Sequence, residues 1–205
     1  VTPHELLIRA HTLPVLVIHE VEHAVPLART LAGGGLTVLE VTLRTPAALG
    51  AIAAIARDVP EAIVGAGTVL SRDDLKAAHD AGALFGVSPG LTPRLAAAAR
   101  AWGRPFYPGV ATASEAMAAR EHGFTALKFF PAEANGGPGA LKALSAPLAD
   151  LRFCPTGGIT PTNAATYRAL PSVLAVGGSW MAPDDAVRAG DWERVRALAA
   201  EAARR

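Results

Sequence analysis

Two residues set the chemical question. Lys128 stands in TALKFFP (125–131), between Leu127 and two phenylalanines, and Glu40 stands in LEVTLR (39–44). The chain has 19 basic residues, yet only Lys76, Lys128 and Lys142 are lysines. Lys76 in RDDLKAAHDAG and Lys142 in GALKALSAPL read as solvated helix faces, whereas Lys128 points to an interior. Alternate residues of a strand share a face. Val38, Glu40 and Thr42 therefore face one way, Leu39, Val41 and Leu43 the other, and Arg44 emerges past the strand's C-terminal end. The same count turns Ala126, Lys128 and Phe130 inward and Leu127 and Phe129 outward. Burial disfavours the charged form of a lysine and leaves some free amine. A free amine condenses with ketones and aldehydes to a Schiff base. The protonated imine is an electron sink for the enamine left when a neighbouring C–C bond breaks, and Glu40 is placed to move the protons. The chemically silent alternative is an internal Lys128–Glu40 ion pair.

A second signal is glycine. CPTGGIT (154–160) ends one apolar run and VGGSW (176–180) ends the next. Glycine lets a backbone approach a ligand closely, and free amides at a helix start favour an anion. A single Gly-Gly is as easily a tight turn. Two of them, at the ends of the last two strands, point to a phosphorylated small-molecule substrate. HEVEH (19–23) matches the zinc signature H-E-x-x-H, which needs both histidines on one face of an established helix. Here His19 directly follows the strand run LPVLVI, and Pro26 places His23 in a first helical turn. No metal is expected. Thr68 after GAG and Ser88-Pro89-Gly90 either line the mouth of the site or make turns. Cys154, alone in an apolar strand, reads as buried filler. Trp102 and Trp192 read as helix packing, and Trp180 lies beside the glycine loop.

The elements that position these residues alternate along the chain. Strands are expected at 13–18, 36–43, 62–67, 84–88, 105–109, 126–130, 151–158 and 173–179, with Ala-rich helical stretches between them. Eight strands each followed by a helix imply a parallel sheet, whose natural closed form is the (β/α)8 TIM barrel. Chemistry in that fold sits at the C-terminal strand ends, and phosphate sits after strands 7 and 8. The expectation is one compact barrel domain over 1–205 with an N-terminal helix. Thr45-Pro46, Thr92-Pro93 and Thr160-Pro161 are expected to cap helices, as are Ser71 and Thr112. Gly82, Gly103 and Gly123 are expected to end them.

Composition narrows the class. With 51% hydrophobic residues, 18% charged residues and a net charge of +1, the chain suits one substantial core. That balance argues against nucleic-acid or membrane-surface binding. No apolar run reaches the length of a spanning helix, no signal peptide is evident, and one cysteine excludes an intrachain disulfide. A cytoplasmic protein is the expectation.

With these residues in view, the chain closely resembles the family of 2-keto-3-deoxy-6-phosphogluconate (KDPG) and 4-hydroxy-2-oxoglutarate (KHG) aldolases. LEVTLRT, EAIVGAGTVL, SPGLT, ALKFFPAEANGG, RFCPTGGI and GGSW follow in family order over nearly the whole chain. The resemblance implies that Lys128 is the Schiff-base lysine and Glu40 the acid–base, working through a bound water. It implies that Arg44, Thr68 and Pro89 contact the pyruvyl end and that Phe130 packs beside the imine. Thr156, Gly157, Gly158, Gly178 and Ser179 would form the phosphate pocket. It further implies no cofactor, a phosphorylated 2-keto acid and pyruvate as ligands, and a homotrimer. VIHEVEH is a departure, since relatives often carry basic residues after strand 1. Rival readings are a sister aldolase for the galactonate-derived epimer, a phosphosugar isomerase using Glu40 without a covalent lysine, and a non-catalytic phosphosugar-binding barrel.

Overall fold

The computed structural model describes residues 1–204. It is an α/β fold in which a curled parallel sheet is covered by helices. The chain opens with α1 (Pro3–Ala10) and continues through β1 (Thr12–Leu16), α2 (Ala24–Gly33), β2 (Val38–Thr42), α3 (Ala48–Asp58), β3 (Ile63–Gly67) and α4 (Arg72–Asp80). Next come β4 (Gly86–Val87), α5 (Pro93–Trp102), β5 (Phe106–Tyr107), β6 (Gly109–Val110) and α6 (Ala113–Glu121). The remainder is β7 (Ala126–Phe129), α7 (Gly137–Ser145), β8 (Arg152–Pro155), α8 (Ala164–Arg168), β9 (Val176–Gly178), α9 (Asp184–Ala189) and α10 (Trp192–Ala202).

The strands pair in parallel as β5-β4-β3-β2-β1-β9 and as β6-β7-β8. The strand expected at 105–109 is thus divided. Only Pro108, which has no amide hydrogen to give, lies between β5 and β6. Its carbonyl still accepts from the Lys128 amide at 2.9 Å. On the other side, single bridges Phe153–Val173 and Thr156–Gly177 link the β8 region to the β9 region.

Two cores hold the sheet. Leu39, Val41, Leu127 and Phe129 face outward into the larger one, which also holds buried residues of α2 and α3 such as Leu27, Leu31, Ile52 and Ile55. The smaller lies inside the curl, where Leu6, Leu7 and Ala10 of α1 meet Leu13, Val38, Phe85, Tyr107, Ala126 and Cys154. α1 is fixed by a Thr2–Glu5 capping box, and the Tyr107 hydroxyl donates to the Pro3 carbonyl at 2.8 Å. Burying each leucine of α1 is worth roughly 1.5–3 kcal/mol. The helix thereby plugs the N-terminal ends of the strands and leaves their C-terminal ends as the open face.

Helix starts follow local chemistry only in part. Ser71, Thr92 and Thr112 accept from Asp74, Leu95 and Glu115 amides as caps, and Gly82, Gly103 and Gly123 take positive φ at helix ends. Thr45 does not cap: its hydroxyl donates to the Ile18 carbonyl at 2.5 Å, and α3 begins at Ala48. Thr160 does not cap either. Its amide donates to Asn163 Oδ1 at 2.8 Å in a turn, and α8 begins at Ala164.

Candidate active site

Lys128 and Glu40 meet inside the curl. Nζ lies 3.3 Å from Oε1, with side chains only 9% and 1% exposed. β2 and β7 are not neighbours in the sheet, so the two groups converge across the interior rather than along a ladder. The second Glu40 oxygen, Oε2, is buried with no hydrogen-bond partner among the described residues, and the Lys128 nitrogen stands 5.0 Å from the centre of the Phe130 ring. A buried oxygen with no protein partner is costly in a purely structural pair. It is poised to receive a proton or a water.

The pair forms the floor of a cavity of about 460 Å³. Glu40, Arg44, Thr68, Pro89, Lys128, Phe130, Thr156, Gly157, Gly158, Gly178 and Ser179 all line it. Every residue to which the resemblance assigns a catalytic, substrate or phosphate role therefore lines one space. Thr42, Val15, Val17 and Ile159 also line it. Thr42 was legible from the period-2 face that it shares with Glu40. Val15 and Val17 lie in an unbroken apolar run whose facing gives no alternation to read.

Arg44 is an exposed rim residue, and among the described residues no carboxylate forms an ion pair with it. Thr68 holds φ 57°, a left-handed conformation costly for a β-branched residue. Opposite them, Gly157 and Gly158 take φ 98° and 77°, where an L side chain would be strained. The Thr156 hydroxyl fits only because Gly177 has no side chain; a Cβ there would stand 2.4 Å from Oγ1. The Ser88 hydroxyl is spent on the Gly90 carbonyl at 2.6 Å, shaping the turn that presents Pro89.

The remaining candidates are placed elsewhere. Burial pushes the Cys154 thiol up to about 12, so it is inert filler beneath the pair. His19 faces Asp184 at 3.6 Å while His23 faces Glu20 at 3.9 Å, so the two histidines have separate acidic partners. Trp180 lies against Gly178, Trp192 packs edge-on to His23, and Trp102 to His79.

Known proteins share this arrangement of chain. Residues 4–198 match the model of the KDPG and KHG aldolases. The KHG/KDPG aldolase of Escherichia coli K12 is 55% identical over 190 residues, covering 93% of this chain and 89% of that one. The KDPG aldolase structure from Legionella pneumophila, with pyruvate captured as a covalent carbinolamine, superposes with TM-score 0.94 at 42% identity over 97% and 96% of the two chains. That of Zymomonas mobilis ZM4 with 3-phosphoglycerate gives 0.93 at 48% identity over 98% and 94%. With an amine, a carboxyl and a glycine-lined cavity at one strand end, and with these likenesses along almost its full length, the chain belongs to the KDPG and KHG aldolase family.

Proposed function

We propose that this protein is a class I aldolase that cleaves 2-dehydro-3-deoxy-6-phosphogluconate to pyruvate and glyceraldehyde 3-phosphate, and 4-hydroxy-2-oxoglutarate to pyruvate and glyoxylate. The observation that carries the reading is the Lys128–Glu40 contact of 3.3 Å at the floor of the cavity. The scheme starts from the free amine of Lys128, with Glu40 beside it to carry the protons. The amine attacks the C2 ketone, and Glu40 protonates the departing hydroxyl so that the carbinolamine loses water to give an iminium. The carbinolamine in the Legionella relative is the intermediate that this scheme passes through. Glu40, now a carboxylate, takes the C4 hydroxyl proton, directly or through a water. The C3–C4 electrons flow into the iminium, and the aldehyde leaves. Glu40 returns that proton to C3 of the enamine, and hydrolysis frees pyruvate and the amine.

The other residues orient. The unpaired Arg44 guanidinium suits the substrate carboxylate, with Thr68 and Pro89 beside it and Phe130 against the imine. Thr156, Gly157, Gly158, Gly178 and Ser179 cradle the phosphate, a role supported by the positive φ values of Gly157 and Gly158.

The working molecule is a single closed (β/α)8 barrel. Supporting this, Pro108 alone divides β5 from β6, and the Phe153–Val173 and Thr156–Gly177 bridges span the other gap. A cytoplasmic homotrimer is the assembly that we propose, and light scattering of the purified protein should give three times the 21.0 kDa chain mass. Among the described residues no helix is long and apolar enough to cross a membrane.

Borohydride trapping with pyruvate tests the reaction. The expected product is one reduced pyruvyl adduct on the peptide containing Lys128. No adduct, or an adduct on Lys76 or Lys142, overturns the scheme.

A further inference from the structure

The loop that carries Gly157 and Gly158 is strung between two anchors. One is the segment that follows Lys128: the Thr156 amide donates to the Phe129 carbonyl at 2.9 Å, the Ala132 amide to Thr156 at 2.8 Å, and the Glu133 amide to Gly157 at 3.1 Å. The other is α8, where Asn163 Nδ2 donates to the Gly158 carbonyl at 3.0 Å. A side-chain hydrogen bond ties the two anchors together. The Tyr167 hydroxyl of α8 donates to Glu133 Oε1. Tyr167 is fully buried, while Glu133 belongs to the exposed rim. The Glu133 stem lies directly over the loop, because a Cβ on Gly158 would come within 2.6 Å of its Cγ.

We propose that Tyr167 and Glu133 are positioning residues for the phosphate end of the substrate. They fix the spacing between the lysine strand and the glycine loop without touching the reacting atoms. A carboxylate this close to an anion site would repel a phosphate if it were free to swing inward. The buried hydroxyl holds it in place, and burial together with the carboxylate keeps the phenol protonated as a donor. The contact therefore acts on the phosphorylated substrate and leaves the pyruvyl end alone. This rests on the reading of Thr156–Gly158 as the phosphate cradle.

The test compares KM for the phosphorylated substrate with KM for unphosphorylated 4-hydroxy-2-oxoglutarate. Tyr167→Phe removes one hydroxyl and should raise the first about tenfold while moving the second less than about twofold, since a hydrogen bond to a charged group is lost. Glu133→Gln keeps an acceptor oxygen and should restore the wild-type ratio. If Tyr167→Phe fails to fold, Glu133→Ala alters only an exposed side chain and must shift the ratio in the same direction. An unchanged ratio, or equal losses on both substrates, overturns the positioning role. Wild-type kinetics indifferent to the phosphate would instead sink the cradle itself, and the pair's role with it.

Discussion

Gly67 owes its identity to Glu40. A Cβ built on Gly67 would stand 2.2 Å from Glu40 Oε1 and 2.7 Å from its Cγ, so the carboxylate occupies the space that a side chain would fill. Neighbouring strands thus supply an acid and the slot that holds it: Glu40 pairs with Gly65, and Gly67, two residues on, pairs with Thr42. Gly67→Ala should displace the carboxyl by about 1 Å and lower kcat on the order of 100-fold while the protein stays folded. Wild-type kcat in the folded variant would show that the acid's position is not critical.

Glu40 and Lys128 should separate by step. Glu40→Gln is expected to form the pyruvate imine slowly yet detectably, with kcat reduced by roughly 10²–10⁴. Lys128→Ala is expected to abolish turnover. It also leaves the buried Glu40 carboxyl without its hydrogen-bond partner, which costs about 1–3 kcal/mol in urea unfolding. Near-wild-type cleavage by Lys128→Ala would end the covalent mechanism.

Arg44→Lys keeps the charge but loses the planar fork. KM for the keto acid should rise at least about tenfold, as expected for one charge-assisted bond lost. Kinetics equal to wild type would remove Arg44 from the carboxylate.

Thr68 trades stability for position. Thr68→Gly relaxes a left-handed residue and should raise stability by up to about 1 kcal/mol while raising KM. A variant that is both less stable and fully active would contradict the trade.

Cys154 should resist chemistry. With its thiol raised from 9.0 to about 12, iodoacetamide at pH 8 should leave the native protein unmodified by mass and fully active. The sign for stability follows. Above pH 9 the unfolded thiol loses its proton while the folded one keeps it, so stability falls as pH rises towards 12. Rapid native labelling would place the sulfur in contact with solvent.

Short-range physics made much of this protein legible in its sequence. The period of two in VLEVTLR and ALKFF turns Glu40 and Lys128 to one side because successive strand residues face opposite ways. Ser71, Thr92 and Thr112 cap as local hydroxyls do. Thr45 and Thr160 carry the same Thr-Pro signature and fail for different reasons: the distant Ile18 carbonyl takes the Thr45 hydroxyl, and Asn163, three residues on, takes the Thr160 amide in a competing local turn.

What the sequence determined by itself was the facing of residues in the alternating strands, the order of strands and helices, and the chemical types available. Tertiary structure alone decided that an amine and a carboxyl 88 positions apart stand 3.3 Å from each other, that Gly67 leaves room for that carboxyl, and that Tyr167 reaches Glu133. Facing is set by the backbone within a few residues. Distance across an interior is set by how the whole sheet curls, a sum over every strand pair and every packed helix.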